Sequence, residues 1–163
     1  MENNTNAATL NAPVVLTEKV KALKLIARNA LRMELISPRL ATISHLEKDI
    51  KANQEDGKAM QKRIDIAYYK ITRLTRLDSE HPDLENLKKN QENNIDEDKK
   101  VIESINKETE TLNKLIVNEK EAIAKIEAGE TLINAEDLAD MVNKLILQDA
   151  KTTIIPKGNS INS

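Results

Sequence analysis

One run of residues constrains this chain more than any other. Ile43, Leu46, Ile50, Asn53, Gly57, Met60, Ile64, Ala67, Ile71 and Leu74 are spaced alternately three and four residues apart. A helix turns by about 100° per residue, so this spacing lines the side chains into one narrow stripe, the seam of a coiled coil. A second run has the same spacing: Ile95, Asp98, Ile102, Ile105, Thr109, Leu112, Ile116, Glu119, Ile123 and Ile126. Between the two lies Asp78-Ser79-Glu80-His81-Pro82, a polar breaker. Pro82 suits the first turn of a helix, where its missing N–H costs nothing, and Asp83 and Glu85 complement the helix dipole there.

So short a connection makes consecutive helices antiparallel neighbours. The sequence therefore predicts helices over 38–78 and 83–128 that fold back on each other as a long antiparallel coiled-coil hairpin. Facing residues should have numbers summing to 162, as in Ala67 with Ile95, Asn53 with Thr109 and Gly57 with Ile105. In this register small residues meet large ones and the polar Asn53 meets the polar Thr109. Asp98 and Glu119 each fall opposite an Ile. They are expected to turn outward, Asp98 towards Arg63 or Lys62, or to mark the entry of a partner.

Two shorter helices complete the reading. Thr17 is a fitting N-cap, and Val20, Leu23, Ala27, Ala30, Leu31 and Leu35 form the apolar face of a helix over 17–36. Ser37-Pro38 reads as a break, with Pro38 restarting the chain as the first hairpin helix. Gly129 stops the second long helix. Asn134 then caps a helix over 135–149, with Asp137 three residues on and Leu138, Met141, Val142, Leu145 and Ile146 as its apolar face. Residues 1–13 read as a disordered arm and 151–163 as a flexible tail, flanking a helical domain over 14–150. The two short helices are expected to pack as a small bundle at the open end of the hairpin, where Leu40, Leu115, Ala122 and Leu132 widen the apolar stripe. The fold class is all-α.

Composition agrees with long helices and excludes several chemistries. Aromatic residues are 1% of the 163, namely Tyr68 and Tyr69, and there are only three Gly and four Pro. A sheet protein needs more of both. There is no Cys, hence neither disulfide nor thiol nucleophile. His45 and His81 are the only histidines. His81 sits among Asp78, Glu80 and Asp83, but that spacing fits no standard ligand motif and reads as a capped polar turn. The isolated glycines form no phosphate loop. No catalytic residue, cofactor, metal or small-molecule substrate is expected. No apolar run is long enough to span a membrane, and Met1 to Asn11 lacks a signal-peptide pattern, so a cytoplasmic location is expected, or a virion interior. Lys outnumbers Arg 19 to 6, a bias shared by low-GC bacteria and their phages.

Charge is divided along the chain. Residues 17–76 hold 14 basic and 7 acidic side chains, and residues 77–150 hold 9 and 19. The hairpin arms are complementary too, at +4 for 38–77 and −4 for 83–128. Single exposed pairs contribute only about 0–1 kcal/mol, so this selects a partner more than it stabilises.

Two surfaces are candidates for binding. Ile66, Tyr69 and Leu77 form a second apolar set at the hairpin tip, the kind of strip another subunit or a protein partner covers. Lys21, Lys24, Arg28 and Arg32 lie near one face of the first helix, with Arg39 nearby, and could bind phosphates. The near-neutral total charge and the lack of an aromatic platform count against nucleic acid, and the lack of aromatic anchors counts against a membrane. The sequence is thus read as a non-enzymatic subunit for protein–protein assembly, a scaffold or adaptor of a phage or bacterial complex, self-associating or joined to another protein. The alternative is a small regulator or inhibitor that binds a host protein or nucleic acid through the basic face of helix one.

Overall fold

The computed structural model describes the backbone of residues 7–77 and 79–154, and side chains within 17–77 and 79–151. The described chain is all-helical, with three helices: α1 (Ala7–Leu77), α2 (Leu84–Glu127) and α3 (Ala135–Ile154). It divides into two compact units, one of residues 40–122 and the other of 1–39 with 123–163.

In the 40–122 unit the two long helices pack together. From Leu40 to Leu77 the buried and half-buried residues are the ten members of the first run and no others. On α2 the second run is covered likewise. Leu84, Lys88 and Gln91 extend it backwards with the same spacing. Ile64, Ala67 and Ile95 form the buried cluster, with Ile71 and Ile102 packed against it. Fully burying one such Ile contributes about 1.5–3 kcal/mol, so a seam this narrow still holds the pair together. Asn53 Nδ2 donates to Thr109 Oγ1 at 3.4 Å, and Arg63 Nη2 lies 3.2 Å from Asp98 Oδ1. The first of these pairs sums to 162, so the polar layer sits where the spacing puts it.

Two details depart from expectation. Asp98 does not turn outward: it stays buried, and Arg63 reaches to it while keeping its own head group mostly in water. A long apolar stem with a charged tip makes that the cheaper arrangement. Gly57 is not packed by Ile105. A Cβ added at Gly57 would meet no atom within 4 Å. Instead Asn53, Gly57, Ile102, Ile105 and Thr109 border an open crevice of about 380 Å³. The absent side chain leaves space that a single opposing Ile does not fill.

The chain turns at 79–83 through local bonds. Leu84 N–H donates to the His81 carbonyl at 3.1 Å, and Asp83 N–H to His81 Nδ1 at 3.1 Å. His81 therefore caps α2 and supplies acceptors to donors that no helix bond satisfies. Asp78 lies outside the described residues.

The other unit is built from the first part of α1, the end of α2 and α3. Ala27 is wholly buried, and Ile36, Ile126 and Met141 nearly so. α2 ends at a Schellman motif: Gly129 N–H donates to the Ile126 carbonyl, and Glu130 N–H to the Lys125 carbonyl. Gly129 has φ of 77°, where an L side chain is strained. α3 starts as expected, with Glu136 N–H donating to Asn134 Oδ1 at 3.0 Å. Its inner face is Leu138, Met141, Val142 and Leu145, whereas Ile146 is exposed.

The largest correction concerns Ser37-Pro38. No break occurs there, and the helices expected over 17–36 and 38–78 are one, α1. Pro38 cannot donate to the Glu34 carbonyl and crowds it, a cost of about 3 kcal/mol in a helix interior. The burial pattern explains why the helix tolerates this. Arg32, Ile36, Arg39 and Ile43 are all at least half-buried and keep the three–four spacing across Pro38. Interrupting the helix would lose that phase. For the same reason Ile36 is buried, whereas Leu35, expected on the inner face, is exposed, as is Val20.

The helix also reaches further at both ends. α1 takes in residues 7–13 of the expected arm, where Ala7, Ala8, Leu10 and Ala12 are good helix formers. Residues 1–6 lie outside the described residues. α3 runs to Ile154, past the expected end at 149, because nothing before Pro156 stops it. Residues 155–163 of the expected tail lie outside the described residues.

Candidate protein-interaction surface

The seam uses one stripe of each long helix, and what lies on the remaining faces decides what the 40–122 unit can bind. On α1 the next row is Lys62, Ile66, Tyr69, Arg73 and Leu77, spaced by three or four residues and so sharing one face. Ile66 is 47% exposed, Tyr69 65% and Leu77 68%. Lys70 and Arg76 are exposed beside them, so apolar groups alternate with positive ones. Scattered exposed apolar residues need no explanation, but a row of three on one face of a helix does.

The adjacent tyrosine has a different setting. Tyr68 accepts a hydrogen bond on its hydroxyl from Lys99 Nζ at 3.2 Å, and the same ammonium stands 5.8 Å from the ring centroid. One neighbour is thus bound to α2 and the other presented to solvent, because consecutive helical residues diverge by about 100°.

A small crevice of about 190 Å³ links the row to α2. Ile66, Arg63 and Lys70 border it on one helix, and Gln91, Asn94 and Asp98 on the other. Asn94 belongs to a ladder of five residues spaced seven apart, Leu87, Asn94, Val101, Glu108 and Leu115, all exposed. Sequence reasoning missed this ladder because two polar members interrupt it. Its strict period of seven was the available signal.

The basic face of helix one is less concerted. Lys21 Nζ pairs with Glu18 at 3.4 Å. Lys24 and Arg28 are exposed, whereas Arg32 is half-buried and its Nη2 lies 3.1 Å from where a Gly129 Cβ would stand. Of the four cations, one is held by a neighbour and one is drawn into packing. The same unit has a groove of about 520 Å³ that sequence reasoning did not foresee. Its floor includes Leu31, Leu35 and Met141, and Glu34, Asp137 and Asp140 edge it. Leu132, at its mouth, is 98% exposed.

Among the described residues no group of three metal-ligating side chains is close enough to hold an ion. Nor is any described helix long and apolar enough to cross a membrane. No known protein family, curated protein or solved structure matches this chain.

Proposed function

We propose that this protein is a non-enzymatic assembly subunit. Its two long helices act as an antiparallel coiled-coil hairpin, a rod that presents a docking face to another protein chain. The observation that carries this reading is the exposed row of Ile66, Tyr69 and Leu77, set among Lys62, Lys70, Arg73 and Arg76. A seam of one stripe per helix cannot cover that row, and apolar contact area with a charged rim is how protein interfaces are composed. Aromatic and arginine side chains are also those that most often dominate binding energy.

Two experiments test the reading. Asn53→Cys with Thr109→Cys should oxidise within a single chain, as required if the helices pair as a hairpin. Cross-linking between chains only would reject the hairpin. For the docking face, the tagged full chain should retain a protein, either another species or an untagged copy of itself. The double variant Tyr69→Glu, Leu77→Glu should lose it while keeping its helical dichroism. If wild type and variant retain the same proteins, or none, the assembly reading is wrong. Retention of nucleic acid instead, lost on raising salt, would favour a regulator acting through Lys24 and Arg28.

A further inference from the structure

We draw no further inference here: the strongest candidate, the groove of about 520 Å³ between the first part of α1 and the start of α3, with Leu31, Leu35 and Met141 on its floor and the carboxylates of Glu34, Asp137 and Asp140 at its edge, carries none, because Lys144 lines it as well and nothing in the structure shows what covers it.

Discussion

At the scale of single residues, the buried Asp98 shows most clearly how charge is handled in a thin seam. It lies in a layer of isoleucines and depends on one long arm, Arg63, that reaches in from the surface. A buried ion is costly, and such pairs are often no better than apolar packing. Asp98→Leu should therefore be neutral or stabilising, raising the melting temperature by a few degrees, since about 1 kcal/mol corresponds to roughly 2–4 °C in a chain this long. Arg63→Ala, which strands the carboxylate, should lower it by a similar or larger amount. Thermal dichroism of both variants decides the matter, and a marked loss in Asp98→Leu would show that the pair is needed. Gly129 offers a second test. Its φ of 77° lies where L side chains are strained, and the nearest atom to an added Cβ is only the movable tip of Arg32. Backbone strain then dominates, and Gly129→Ala should cost about 1–2 kcal/mol in urea unfolding, with Asn less harmful because it tolerates the left-handed region.

At the scale of elements, α1 carries two residues beyond its first two turns that oppose helix formation, Pro38 and Gly57. Gly57 sits mid-helix with open space where a side chain would go. Gly57→Ala should add about 0.5–1 kcal/mol, read from the denaturation midpoint. Pro38→Ala should stabilise by about 1–3 kcal/mol, the gain in helix bonding being partly offset by a freer unfolded chain. No gain from either would mean that α1 is not continuous there in solution. These two positions also mark what the sequence could and could not disclose. The seam members, the 162 rule at Asn53 and Thr109, the Gly129 stop and the Asn134 cap all follow from periodicity and local chemistry, and were legible. The passage through Pro38 was not, because local chemistry there argues for a break while a longer-range phase, 32–36–39–43, argues against one. That phase was written in the sequence but passes through two arginines, which a search for apolar residues skips. Of the binding surface, the α1 row was legible from its apolar members. The α2 ladder was legible only as a strict period of seven interrupted by Asn94 and Glu108, and its side is assigned only by the crevice at Ile66 and Asn94.

At the scale of the whole molecule, the two units differ in what holds them. The 40–122 unit has a continuous seam with a buried cluster at Ile64, Ala67 and Ile95. The other relies on a few contacts around Ala27, Ile36, Ile126 and Met141 and leaves Leu25, Ile26, Met33 and Leu147 exposed. Local opening follows such differences in buried contact. Amide hydrogen exchange should be slowest around residues 64–67 and 95 and markedly faster along α3; equal protection throughout would contradict this division. The placement of Tyr68 and Tyr69 has a practical consequence. They are the chain's only aromatic residues, both belong to the 40–122 unit, and there is no tryptophan. Near-ultraviolet absorbance and intrinsic emission thus record that unit alone and are blind to α3. Far-ultraviolet dichroism records every helix. Melting curves by the two signals, laid over each other, would reveal whether the units unfold together without any label being attached.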